Sequence, residues 1–122
     1  MKILSVIVGL SVGVMLTGCG KSAVECGDSK AQKAVMEIIE QEFTGLFSRS
    51  PGVENAAEEY RQMNLQLANI RTESVDNELE KSECTADMNY AVHGDMRTRN
   101  ITYKLSKTSE GELYVEVYGL SL

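Results

Sequence analysis

Between residues 29 and 47, apolar residues recur every three or four positions. Val35, Ile38, Ile39, Phe43, Leu46 and Phe47 fall on one stripe, which is the period of an amphipathic helix. Ser29-Lys30-Ala31-Gln32 has the S-x-x-Q form of a capping box, and Asp28 just before it favours a helix N-terminus. The spacing predicts a helix over about Ser29 to Phe47, with Lys33, Glu37, Glu40 and Gln41 on its solvated face. Ser48-Arg49-Ser50-Pro51-Gly52 then breaks the pattern with turn residues, and Pro51 suits the first turn of a new helix with Ser50 as its cap. Val53, Ala56, Ala57, Tyr60 and Met63 return at helical spacing, so a second, narrower helix is expected over about Pro51 to Met63.

From Leu65 the period falls to two. Leu65 and Leu67 alternate with polar neighbours, and Ile70, Thr72 and Ser74 alternate in the opposite phase, which predicts a bulge near Asn69. Ser74 to Lys81 has turn composition. Cys84, Ala86, Met88, Tyr90 and Val92 then share one strand face, opposite Glu83, Thr85, Asp87 and Asn89. After a turn opening at Gly94-Asp95, Ile101, Tyr103 and Leu105 alternate with Thr102 and Lys104. After Glu110-Gly111, Leu113, Val115 and Val117 alternate with Tyr114, Glu116 and Tyr118. Short connections demand antiparallel neighbours, so the C-terminal half reads as a four-stranded meander. One apolar face must be covered by the N-terminal helices. The predicted class is α+β, with one or two N-terminal helices packed on one face of a four-stranded antiparallel sheet.

The chain has 122 residues, 12 basic and 18 acidic, for a formal charge of −6. That acidity argues against nucleic acid as a partner and against electrostatic attachment to anionic lipid. One domain is the natural outcome at this length.

Residues 1–18 stand apart. Lys2 precedes an apolar run from Ile3 to Met15, followed by Leu16-Thr17-Gly18-Cys19. A positive start, a short apolar stretch and small residues before a cut site make a signal peptide, and the run is shorter than the roughly 20 residues a membrane span needs. Leu16-Thr17-Gly18-Cys19 resembles the lipobox of bacterial lipoprotein precursors. The resemblance covers only the first nineteen residues and implies processing and location, not activity. It implies cleavage before Cys19, a thioether-linked diacylglycerol on Cys19 and an amide-linked acyl chain at the new N-terminus. At roughly 0.8 kcal/mol per buried methylene, such an anchor is effectively permanent. In enteric members of the class an Asp after the lipidated Cys retains the protein at the inner membrane. Gly20 stands there in this chain, which implies the outer membrane, facing the periplasm.

With Cys19 taken by lipid, Cys26 and Cys84 allow one intramolecular pairing, and the oxidising envelope favours it. A Cys26–Cys84 bond would add about 4 kcal/mol in the chain-entropy model. It would also join the helix start to the apolar face of the sheet, where the periodicity brings them together. Gly20 to Glu25 reads as a tether between lipid and domain, about 20 Å at full extension. The chain therefore divides into a signal (1–18), a lipidated tether (19–25) and one domain (26–122).

Nothing in the sequence has the spacing of an enzyme site or a metal centre, and no cofactor is implied. His93 is the single histidine and falls at a strand end; no G-x-S-x-G, H-E-x-x-H or phosphate-cradling loop is present. Glu37, Glu40 and Glu42 do not share one helix face, so they read as solvated rather than as ligands. Two surfaces are candidates for binding. One is the outer sheet face with Thr102, Lys104, Tyr114 and Tyr118, where tyrosines on rigid strands suit interface anchors. The other is the basic stretch Gly94-Asp95-Met96-Arg97-Thr98-Arg99-Asn100, read as a turn, suited to an acidic partner or a phosphate group. These features predict a monomeric, membrane-anchored module that binds or inhibits a protein partner in the periplasm, as immunity or exclusion lipoproteins do. The alternative is an accessory or structural subunit of an envelope assembly.

Overall fold

Asp28 starts the first helix, α1 (Ser29–Ser48), by accepting a hydrogen bond from the Lys30 N–H through its side chain at 2.8 Å. Asp28, not Ser29, is thus the cap, and Gln32 reaches back to the Gly27 carbonyl at 2.9 Å. The carboxylate displaces the hydroxyl because a charged acceptor answers the exposed N–H groups of a first turn better. The computed structural model describes residues 22–120 and the backbone of Ile3–Ile7. The lipobox Leu16-Thr17-Gly18-Cys19 and residues 20 and 21 lie outside the described residues.

Ala31, Ala34, Val35, Ile38, Ile39 and Phe43 form the buried face of α1. Leu46, expected in that stripe, is 38% exposed, because the helix outruns the core there. The second helix, α2 (Ala56–Gln62), is shorter than expected. Pro51 and Gly52 lie in a turn, and the Asn55 side chain caps the helix by accepting from the Glu58 N–H at 3.1 Å. Asn55 is the stronger cap, so the helix starts well beyond the proline rather than at it.

The remaining chain forms β2 (Gln66–Asp76), β3 (Lys81–Val92), β4 (Asp95–Lys107) and β5 (Glu112–Tyr118), an antiparallel meander as the alternation predicts. An additional strand, β1 (Ile3–Ile7), pairs with β5, giving the order β1-β5-β4-β3-β2. Ile3–Ile7 therefore lies extended along a sheet edge. The bulge is at Asn69, which takes φ 52 where the β2–β3 register shifts between Ala68 and Arg71. β2 and β3 continue into the segment read as a turn, leaving only residues 77–80 to connect them.

The inner sheet face contributes Cys84, Ala86, Met88 and Tyr90 from β3, Ile101, Tyr103 and Leu105 from β4, and Leu113, Val115 and Val117 from β5. These pack with the α1 stripe into one core. The Sγ atoms of Cys26 and Cys84 are 2.09 Å apart, bonded as cysteine arithmetic predicts. Beside them, residues 22–25 do not hang free as a tether. The Ala23 N–H donates to Asn77 Oδ1 at 3.0 Å and Ser82 Oγ donates to the Val24 carbonyl at 2.7 Å, strapping the chain to the β2–β3 turn.

A candidate binding groove at the far end of the sheet

The basic stretch is a strand, not a turn. β3 and β4 are joined by His93 and Gly94 alone, with φ 51 and φ 85. Two successive left-handed residues make the tight hairpin whose twist matches that of the flanking strands. Histidine is an uncommon residue in that conformation, which is why the composition places the turn too late in the sequence. Pairing then runs without interruption from Val92 opposite Asp95 to Lys81 opposite Ser106.

This register decides which way the arginines point. Arg97 pairs with Tyr90 and Arg99 with Met88, in the same alternation as Ile101, Tyr103 and Leu105. Both arginines belong to the inner face, beyond the point where α1 stops covering it. There α1, α2 and the β3–β4 hairpin enclose a cavity of about 410 Å³. Its apolar lining comes from Phe47 in the last turn of α1, Met63 at the end of α2, and Tyr90 and Val92 on β3. Arg97, Arg99 and His93 line the hairpin side, and Glu59 and Gln62 the α2 side.

Local packing holds these walls in place. Phe43 stacks between Phe47 and Tyr60, with ring centroids 6.3 and 6.5 Å away, tying the end of α1 to α2. The Ala91 N–H donates to the Met63 carbonyl at 2.9 Å and fastens α2 to β3. Burial raises the Tyr60 phenol above its usual value, with a further push from Glu40. The volume lies within the range of ligand pockets, and an apolar floor with two guanidinium groups at its side suits an anionic group attached to an apolar body.

The outer-face residues do not join this groove. Tyr114 and Tyr118 lie in the phase opposite to the buried row Leu113, Val115 and Val117, on the other side of the sheet from Arg97 and Arg99. Both are half-buried, and Tyr118 is partnered along the sheet. The Lys104 ammonium sits 5.7 Å from the Tyr118 ring centroid, and the Tyr118 hydroxyl donates to Glu116 Oε2 at 3.2 Å. Tyr118 is raised in pKa by desolvation first and by Glu116 second. Further along that face, Asp87 accepts from Asn69 Nδ2 at 2.8 Å and faces Arg71 at 4.0 Å. Hydrogen bonds from Asn69 and Asn100 hold its carboxyl below the usual range.

The apolar floor was not visible as a site in the sequence, because Phe47, Met63, Tyr90 and Val92 carry the same periodic signal as core residues. The available signal was the phase of Arg97 and Arg99, which continues that of Ile101.

The chain matches no family model, no curated protein and no solved structure. Among the described residues, no helix is long and apolar enough to cross a membrane.

Proposed function

We propose that this protein is a small cell-envelope lipoprotein, anchored through Cys19, that binds a partner protein in the groove formed by Phe47, Met63, Tyr90, Arg97 and Arg99. The observation that carries this reading is the separation of the strapped segment at Ala23 and Val24 from the groove. Ala23 and Val24 are strapped to the β2–β3 turn, and only two residues separate Ser22 from Cys19, a span of about 10 Å at full extension. The groove lies at the opposite end of β3, a strand of 12 residues, or roughly 40 Å at 3.3 Å per residue. A lipid on Cys19 would hold the strapped end against the bilayer and present the groove to the periplasm.

The groove chemistry supports a partner segment with an apolar side chain beside a carboxylate. The apolar group would fill the floor and the carboxylate would meet Arg97 and Arg99, whose planar forks match carboxylate oxygens in pairs. The otherwise acidic surface of the chain would repel acidic proteins elsewhere, so the basic rim also sets orientation. Blocking a partner in this way is the action of an inhibitory or immunity-type module.

The test is pull-down and crosslinking from the envelope with the lipidated protein, beside Cys19→Ala and the double variant Arg97→Glu/Arg99→Glu. A soluble partner kept by the unlipidated form and lost from the double variant is the expected result. Loss of every partner with the lipid, and no effect of the arginines, would instead support an accessory role in an envelope assembly.

A further inference from the structure

The two outer strands of the four-stranded meander, β2 and β5, are built differently. β2 forms one edge in the manner of an edge protected against pairing. Its ladder to β3 is broken twice, between Ala68 and Arg71 and between Thr72 and Ser74, and Asn69 is left-handed. Arg71, Glu73 and Asp76 add charge along it. Bulges and charges of this kind prevent another chain from adding a strand. β5 has no bulge, and its registers with β4 and β1 are both unbroken. Glu112-Leu113-Tyr114-Val115-Glu116-Val117-Tyr118 contains no proline, glycine or lysine, and its only charges are Glu112 and Glu116.

That unprotected edge is occupied by β1. Ile3 lies opposite Glu116, Leu4 opposite Val115, Ser5 opposite Tyr114, Val6 opposite Leu113 and Ile7 opposite Glu112. The occupant belongs to residues 1–18, which the lipoprotein reading removes. We infer that the β5 edge of the processed protein is a strand-acceptor site. It takes an extended segment of a partner protein, rich in branched aliphatic residues and added antiparallel in the place that Ile3–Ile7 holds in the precursor. Main-chain hydrogen bonds would supply affinity, and aliphatic residues at alternate positions would continue the row Leu113, Val115 and Val117. α1 packs against β1 as well as β5, so the seat suits a single strand. A second copy docking through its own β5 would bring another α1 over the same edge.

This inference rests on removal of residues 1–18, and its test keeps the two apart. Intact mass of the protein isolated from the envelope reads the processing; the β5 inference is read by hydrogen–deuterium exchange and peptide binding on that material. The probe is a synthetic peptide of residues 2–9, Lys-Ile-Leu-Ser-Val-Ile-Val-Gly. Edge amides of β5 are expected to exchange roughly tenfold faster in the processed protein than in the uncleaved Cys19→Ala precursor, as edge groups freed from a ladder open locally. The peptide is expected to restore that protection while leaving β2 unchanged, and a peptide N-methylated on alternate residues is expected to fail. A processed protein whose β5 ignores the peptide overturns the inference. So does β5 protection that rises with protein concentration alone, since a second copy would then be the occupant. A mass retaining Met1 to Gly18 overturns the processing reading, and with it any vacant edge.

Discussion

The hydroxyl of Tyr103 donates to the backbone carbonyl of Cys26 at 3.0 Å, across 77 positions of sequence and in the interior of the domain. Tyr103 is fully buried and lies directly opposite Cys84 in the β3–β4 ladder. One phenol therefore fixes the carbonyl of one disulfide partner and stands beside the other, at the point where the strapped N-terminus enters the fold. Removing the hydroxyl leaves a buried carbonyl without its donor, which costs about 1–3 kcal/mol. Tyr103→Phe is expected to lower stability in urea by that amount with the denaturant slope unchanged.

The same residue predicts an alkaline limit. Burial raises the Tyr103 phenol above its ordinary 10.0. A group whose pKa is raised on folding contributes stability that is fully present below its unfolded value and is lost as pH rises through the folded value. Unfolding free energy should therefore decline above about pH 10, and Tyr103→Phe should show a flatter decline. Equal slopes in the two proteins would contradict this assignment.

On the other face the sign reverses. Asn69 and Asn100 hold the Asp87 carboxyl below its ordinary 3.8. Its contribution is present above that value and disappears as pH falls through the lowered one. Asp87→Asn is expected to reduce stability at neutral pH and to remove part of the acid-induced loss below about pH 4. Because the Asn69 amide is the first cause of the shift, Asn69→Ala should raise the Asp87 pKa toward its ordinary value, measurable by carboxyl NMR titration. A larger response to Arg71→Ala than to Asn69→Ala would contradict the ordering.

The disulfide closes a separation of 58 positions, worth about 4 kcal/mol if its effect is on the unfolded chain. Reduction, or Cys26→Ala/Cys84→Ala, should lower the unfolding midpoint strongly while leaving the groove end of the sheet comparatively protected in hydrogen exchange. The bond lies at the strap end, beside Glu83 and Tyr103, and Phe43, Phe47 and Tyr60 brace the other end independently of it. Uniform loss of protection across the whole sheet would argue against that division.

Particular residues show why some of this was legible in the sequence and some was not. The α1 stripe, the bulge at Asn69, the meander and the Cys26–Cys84 pair each follow from a local period or a count, so pattern reading reaches them. The extension of β4 through Met96 to Asn100 carries no apolar alternation, because its backbone is paired beyond the limit of the core. His93 at φ 51 hides the two-residue turn that sets this pairing. For the same reason Arg97 and Arg99 read as loop charges rather than as groove residues. The strap at Ala23 and Val24 depends on Asn77 and Ser82, which are 54 and 58 positions away, and no local signal announces it.

The hairpin itself gives a further check. Gly94 has φ 85 and open space where a Cβ would stand, so Gly94→Ala meets backbone strain alone. It should cost about 1 kcal/mol. Partner binding should fall more than stability, since the turn sets the register that aims Arg97 and Arg99.

Site-specific photo-crosslinking in the envelope tests the proposed orientation of anchor and groove most directly, with the reactive group placed in turn at Gln62 on the α2 wall of the groove, at Leu79 on the strapped turn and at Tyr114 on the outer face. Gln62 and Leu79 are both exposed, so both positions accept a probe without disturbing the core. The expected result is a discrete protein adduct from Gln62 that disappears in Arg97→Glu/Arg99→Glu, and lipid adducts from Leu79. A protein adduct from Tyr114 alone, or a Gln62 adduct indifferent to reversal of both arginines, would contradict it.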